Sequence, residues 1–540
     1  MRFGRACLAA LLLALVSTLG LCLAYTSARA ATLDQALTSF TADDFDQTET
    51  GINAVAASGS PRSEIILRAL QNSQLMFSAA QKKVYIQDDA GKLFDAATGA
   101  PVAGAPPDDL DNVRINNRLR GTIDTALGTL TLLSKNPDTR YKAAQTVFRS
   151  HEASALPTLD KAIAQETDAS VKRALEQARA AIVLNTPGVT DAQKLDAIAV
   201  VRDRGDQDAL ALLADIPKRE SPKVAQAATA AIAAIQTRLA EWDAVQNAWY
   251  GISLGSVLLL AAIGLAITFG VMGVINMAHG EMVMLGAYVT FAVQETIRTY
   301  DPALFDYSLA IALPLAFLFS GLVGILIERS IIRFLYGRPL ETLLATWGLS
   351  LVLQQAVRTV FGPDNRNVGN PSFMSGAFNL GGITITYNRL WIVCFALVVF
   401  VALIGILRLT RLGLEMRAVT QNRAMAASMG IRTSRIDALT FGLGSGIAGL
   451  AGVALSQIDN VSPNLGQGYI IDSFMVVVFG GVGNLWGTFV GSFVLGIANK
   501  FLEPYAGAVL GKIAILVLII LFIQKRPRGL FALKGRAVEA

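Results

Sequence analysis

Three side chains able to bind a solute or exchange a proton fall within six positions: Asn276, His279 and Glu281, in the string Val274-Ile-Asn-Met-Ala-His-Gly-Glu281. They stand where two apolar segments meet. Polar and ionisable groups at such a place are costly, so they are paired or they line a path. Two readings stay open: a turn that caps two helix ends, or a polar hinge lining a pathway. No second histidine lies nearby, so the trio does not read as a metal site. Asn484, in Phe479-Gly-Gly-Val-Gly-Asn-Leu-Trp-Gly487, is the fourth pathway candidate.

A second string, Arg417-Ala-Val-Thr-Gln-Asn-Arg-Ala-Met-Ala-Ala-Ser-Met-Gly430, lies in an arginine-rich loop. Asn422 can cap a short helix there and Gly430 can end it. An Ala-rich helix in a loop suits docking into a partner's groove; the plainer reading is an amphipathic surface helix. Other chemistry is missing. There is no Gly-x-x-x-x-Gly-Lys-Ser/Thr loop, so the chain does not hydrolyse nucleotide through a P-loop. Nor is there a Gly-x-Ser-x-Gly elbow, an HExxH or a Cys-x-x-Cys. The sequence reads as a non-enzyme with no metal or cofactor of its own. Its net charge of +5 fits loop bias in a membrane protein, and no motif suggests nucleic acid.

The elements that position these strings differ along the chain. Of the 540 residues, 53% are hydrophobic and 16% charged, and the two kinds are segregated. Residues 1–30 read as a signal peptide: Arg2 and Arg5 precede an apolar stretch from Ala6 to Ala24, and Ala28-Arg29-Ala30 offers a cleavage site. Cys7 and Cys22 leave with it, so the mature chain keeps only Cys394 and no internal disulfide. Residues 31–245 are polar and are expected outside the membrane. Ile65, Ile66, Leu67, Leu70 and Leu75 stand at helical spacing. Lys83 to Ile86 reads as a strand, paired through a turn at 88–91 with Lys92 to Phe94. Over 138–240 a two-unit repeat emerges. Ala144, Val147, Leu159, Ile163, Val171, Ala174, Ala178 and Ile182 match Ala197, Val200, Leu212, Ile216, Val224, Ala227, Ala231 and Ile235 at a constant offset of 53 (197 − 144 = 53). Each unit reads as two amphipathic helices and resembles a HEAT-type repeat.

Residues 246–530 carry apolar segments long enough to span a bilayer: 250–275, 280–297, 308–327, 343–360, 389–407, 437–456 and 508–524. The region 472–500 is divided by glycines and reads as a re-entrant pair or two short helices hinged between Gly480 and Asn484. Arginines at 329, 333 and 338, those at 408–435, and the 525–540 tail (with 531–540 as a free cytoplasmic end) mark the cytoplasmic side. Asp459 and Asp472 mark the outside. Gly442 and Gly446, and Gly483, Gly487 and Gly491, stand four apart, a spacing that lets helix backbones touch. The fold class is therefore an all-α polytopic membrane protein, a transmembrane bundle behind an N-terminal periplasmic, mainly helical domain.

The string from Val274 to Glu281, the loop from Arg417 to Gly430 and the string from Phe479 to Gly487 together resemble the permease subunits of branched-chain amino acid type ABC importers, over about 250–530. The resemblance implies a chain in the bacterial inner membrane that binds the lipid bilayer and works with a second permease subunit. ABC ATPase subunits, which use the ATP, and a periplasmic substrate-binding protein complete the assembly. It also implies that Ala426, Ala427 and Gly430, with Arg417 and Asn422, form the ATPase-docking loop. Most such permeases lack a long exported domain; its presence resembles the urea ABC transporter permease subunits, the B subunits of Urt systems. That implies urea uptake. A branched-chain amino acid or short-chain amide permease is the alternative, and a membrane-tethered scaffold or sensor the second.

Overall fold

The computed structural model describes residues 33–531 apart from 59, 89–90, 103–106 and 108. The expected signal peptide, with Cys7 and Cys22, and positions 532–540 of the expected tail lie outside the described residues. The chain divides into two compact units, one ending at Leu239 and the other starting at Ala240.

The first unit begins with helices α1 (Phe45–Ala57) and α2 (Ser63–Gln71). In α2, Ile66, Leu67 and Leu70 are buried while Ile65 faces out, the pattern of one apolar stripe. Four strands follow: β1 (Leu75–Ser78), β2 (Lys83–Gln87), β3 (Leu93–Asp95) and β4 (Leu110–Asn112). They form an antiparallel sheet in the order β3-β2-β1-β4, with Leu75 opposite Ile86 and Tyr85 opposite Asp95. The all-α expectation is thus corrected. Leu75, read as part of a helical stripe, opens a central strand, because the Asn72–Gln74 segment ends α2 before it; Ser73 there has φ 59.

Helix α3 (Asn117–Thr131) leads into the repeat. Its first unit is α4 (Pro137–Ser150), α5 (Leu156–Gln165) and α6 (Ala169–Asn185). Its second is α7 (Asp191–Arg204), α8 (Gln207–Leu213), the single turn α9 (Ile216–Arg219) and the first part of α10 (Pro222–Met272). The first unit thus has three helical segments and the second four, rather than two each, and the offset is not constant. Val147 is fully buried, yet its expected partner Val200 is 36% exposed and Val201 is the buried one, an offset of 54 (201 − 147 = 54). From Val171 and Val224 onward it is 53 (224 − 171 = 53). One residue is lost between α8 and α10, the stretch that includes the buried Ile216.

The second unit starts inside α10, from Ala240. It continues with α11 (His279–Tyr300), α12 (Ser308–Ser330) and α13 (Pro339–Phe361). The hairpin β5 (Ala377–Leu380) and β6 (Ile383–Thr386) precedes α14 (Tyr387–Leu409), α15 (Arg411–Gln421) and the short α16 (Arg423–Ser428). Then come α17 (Thr433–Ser456), α18 (Leu465–Gly480) and α19 (Leu485–Lys525), the last broken at Gly507 (φ 75, ψ 165). Among the described residues five helices are long and apolar enough to cross a membrane: those within Pro222–Met272, Pro302–Phe334, Tyr387–Leu409, Thr433–Ser456 and Leu485–Lys525.

Glycines set the packing. Helix α17 lies against α11 and α12. A Cβ added at Gly446 would come within 2.8 Å of Phe317, and one at Gly442 within 2.6 Å of Ile325. Helices α18 and α19 fold back on each other. A Cβ at Gly487 would lie 2.1 Å from the Gly480 carbonyl oxygen, and one at Gly491 would lie 3.1 Å from that of Val476. Backbone contact of this kind is open to glycine alone. Gly483 belongs to the turn instead, with φ 78. The hinge touches the chain's end: Leu530 N donates to Phe479 O at 2.9 Å and Phe531 N to Gly480 O at 3.2 Å. The 472–500 region is therefore part of a helical hairpin that begins at Leu465, its first arm the sixteen-residue α18. Asp472, read as an outer-loop residue, lies inside α18, buried and paired with Lys512 at 2.9 Å.

Candidate functional site

Helix α10 ends where Gly273 turns left-handed (φ 69) and its N–H closes on Phe269 O at 3.0 Å. Residues 273–278 are not helical. Asn276 Oδ1 accepts from Ala278 N at 3.0 Å, and Met277 N donates to Thr346 Oγ1 of α13 at 3.1 Å. A chain without regular hydrogen bonds is tolerated at membrane depth only where protein surrounds it, and here α13 supplies the partner.

The imidazole fixes the depth of this break. His279 Nε2 lies 2.9 Å from the carbonyl oxygen of Ala261. That residue comes eleven before the end of α10 (272 − 261 = 11), about 16 Å along a helix axis. The N-terminus of α11 therefore starts level with Ala261, well back along α10 from its end. The junction is a turn between two helices inside the bundle, with the Asn276 side chain capping its own backbone. Asn276, His279 and Glu281 are each 1% exposed. Since a carbonyl only accepts, Nε2 carries the proton and Nδ1 is left as an acceptor; it has no partner.

Glu281 sits in the first turn of α11. Its Oε1 accepts from Ser350 Oγ at 2.8 Å and from Gln354 Nε2 at 2.7 Å. Gln467 of α18 donates in turn to Gln354 Oε1 at 3.4 Å. Glu281 Oε2 has no partner, which costs about 1–3 kcal/mol for a buried acceptor. These neighbours are uncharged. The arrangement is a buried carboxyl group at a helix start, held by neutral donors on one oxygen, with the other oxygen left to hydrogen-bond a bound molecule.

The sequence reading did not include Thr346, Ser350, Gln354 and Gln467. The signal for the first three was present: Thr342, Thr346, Ser350 and Gln354 recur every four residues through an otherwise apolar segment and are all buried. That spacing puts them on one helix face. Gln467 had no comparable signal, because its segment was placed before the start of the hairpin.

Asn484 does not join this cluster. It caps α19, accepting from Trp486 N at 3.1 Å and Gly487 N at 3.2 Å, and donates to Phe531 O at 3.2 Å. It lines a cavity of about 820 Å³ together with Arg408, Arg417, Gln421 and Trp486, at the arginine-rich end of the bundle. In the loop, Asn422 Oδ1 accepts from Met425 N at 2.9 Å and caps α16, while Gly430 (φ 86) follows its end. Ala426 is buried at 5% and packs inward; Ala427 and Gly430 are exposed. The outward face of this segment instead carries Met425 (61% exposed) and Met429 (77%).

Residues 247–523 match the family described as the branched-chain amino acid transport system / permease component. The high-affinity branched-chain amino acid transport system permease protein LivH of Salmonella typhi is 31% identical over 295 residues, 53% of this chain and 94% of its own length. BraD of Pseudomonas aeruginosa, with the same description, is 30% identical over 287 residues, 52% and 93% respectively. The ribose import permease protein RbsC of Escherichia coli is 25% identical over 281 residues, 50% and 82%. No solved structure is significantly similar. The chain belongs to the branched-chain amino acid transport permease family. It is a membrane permease component, and its first unit lies before the matched residues.

Proposed function

We propose that this chain is the membrane-spanning subunit of an ABC importer for a small solute with N–H donors and no net charge, and that the solute passes the start of α11. The observation that carries this reading is Glu281, a buried carboxylate with uncharged partners on one oxygen and none on the other. A primary amine or amide supplies the missing donor. The apolar shell disfavours strongly charged solutes.

The relatives named above favour a branched-chain amino acid as that solute over urea. Urea is the second reading. It is supported by the N-terminal unit, which lies outside the matched residues, and by its amide N–H groups. Family membership displaces the scaffold or sensor reading. A second permease, ATPase subunits and a substrate-binding protein would complete the transporter, with the arginine-rich end in the cytoplasm by loop charge and residues 31–245 in the periplasm of a bacterial inner membrane. The ATPase would meet the exposed face of α16, at Ala427, Met425, Met429 and Gly430.

Uptake of labelled leucine and labelled urea, measured in cells with and without this gene, tests the substrate. Loss of leucine uptake alone supports the first reading and loss of urea uptake alone the second. Both uptakes unchanged, in cells where the gene is expressed, would overturn the transport role.

A further inference from the structure

At the arginine-rich end a second buried carboxylate is treated differently. Asp437, in the first turns of α17, is fully buried. Arg423, the first residue of α16, meets it with both guanidinium arms: Nη1 donates to Oδ1 at 3.1 Å and Nη2 to Oδ2. The guanidinium also lies 4.7 Å from the ring centroid of Tyr336, in the loop between α12 and α13. Glu328, at the end of α12, is 1% exposed and its closest cation is Arg329, at 3.7 Å. A bidentate arginine is directional as well as strong, so this contact fixes how α16 is held, not only where.

The pair joins two helices, and the ring contact adds the loop that carries Tyr336. Helix α16 carries the exposed methionines. Helix α17 carries Asp437 and presses its glycines on the helices beside it: a Cβ at Gly444 would lie 2.7 Å from the Gly264 oxygen, and one at Gly452 would lie 2.0 Å from that of Val283. Val283 is two residues from Glu281 on α11. With no side chains between them, α17 and α11 cannot shift independently. A displacement of α16 has a short, stiff route to the mid-bundle site, and Arg423–Asp437 is its first joint.

We propose that Arg423 and Asp437 are positioning residues that convert movement of the ATPase-facing segment into movement of the helices around Glu281. This rests on the permease reading above and adds the coupling element to it. Removing only Arg423 leaves a buried unpaired charge, whereas replacing both residues with apolar ones removes the charge and keeps the packing. The two cases separate a coupling role from simple stability.

The test uses the complete transporter, with its ATPase and substrate-binding subunits, in proteoliposomes. Solute taken up per ATP hydrolysed is measured for wild type, Arg423→Leu, Asp437→Leu, the double variant, and Arg423→Lys. Each single Leu variant is expected to lower that ratio roughly tenfold, and the double variant to stay as low as the singles and no lower even where its stability recovers, since contacting residues give non-additive effects. Arg423→Lys, which keeps charge but not the fork, should fall between. A wild-type ratio in the single variants, or strictly additive losses, would overturn the proposal. If a single variant fails to assemble, the double variant and Arg423→Lys still decide: a ratio unchanged in both contradicts the joint. A wild-type complex that neither binds an ATPase nor transports would instead overturn the permease reading.

Discussion

Glu281 and Asp437 are both buried carboxylates in the same helix bundle, yet they are handled in opposite ways. Asp437 is closed off by a guanidinium that satisfies both of its oxygens. Glu281 receives only neutral donors, on one oxygen. A buried charge with a full counter-charge is a fastening, because nothing else can replace the partner without cost. A buried carboxyl group with a spare oxygen is a receptor, because a visiting hydrogen-bond partner improves it. The contrast assigns anchoring to the arginine-rich end and recognition to mid-bundle.

Stability should divide the two sites most sharply. Arg423→Leu strands a carboxylate in the protein interior and is expected to lower stability by about 3 kcal/mol or more. Glu281→Gln keeps the shape and an acceptor for Ser350, so its cost should stay near 1 kcal/mol. Thermal unfolding of the purified chain in detergent compares them. Equal losses would erase the distinction between fastening and receptor.

A smaller effect is expected between the two helices of the hairpin. Gly487→Ala forces α18 and α19 apart, because the new methyl would overlap the Gly480 carbonyl, at about 1–3 kcal/mol. The same melting measurement reads it. An unchanged midpoint would mean that the hairpin has slack.

The smallest effect lies in the first unit, where ion pairing resembles that of Asp437 but in the polar domain, at a partly buried site. Arg140 donates to Glu166 at 2.6 and 2.8 Å, and these bonds hold the carboxyl below its usual range. A depressed carboxylate contributes stability above its unfolded pKa of about 4.3 and loses it as the pH falls through the folded value. Amide exchange in α4–α6 of the full chain should therefore accelerate on acidification below that unfolded value, and Arg140→Met should abolish the added acid sensitivity. Exchange independent of pH, after correction for the intrinsic rate, would contradict this.

Of the apolar segments marked in the sequence, those at 250–275, 308–327, 389–407, 437–456 and 508–524 fall in helices long and apolar enough to cross a membrane, while 280–297 and 343–360 do not; long-window composition is what such segments are read from. The sequence placed Asn422 and Gly430 where they cap and end α16, a purely local matter. It missed what depends on partners distant in the chain. The depth of the Asn276–Glu281 break is set by the reach of His279 to Ala261, which no local pattern encodes. Asp472 read as a loop residue because its counter-ion, Lys512, is forty positions away (512 − 472 = 40). Val200 and Val201 could not be told apart by spacing alone, since either valine satisfies a near match. The stripe on α13 was legible but weak, because threonine and serine bond to their own helix and so blend into apolar segments.

The receptor role of Glu281 is tested most directly by the solute concentration that half-saturates uptake in the reconstituted transporter, wild type against Glu281→Gln. The account predicts a rise of roughly tenfold or more, as for the loss of a hydrogen bond to the carboxyl group, with assembly and basal ATP hydrolysis retained. An unchanged half-saturation in a fully assembled variant would contradict it and move recognition of the solute away from the start of α11.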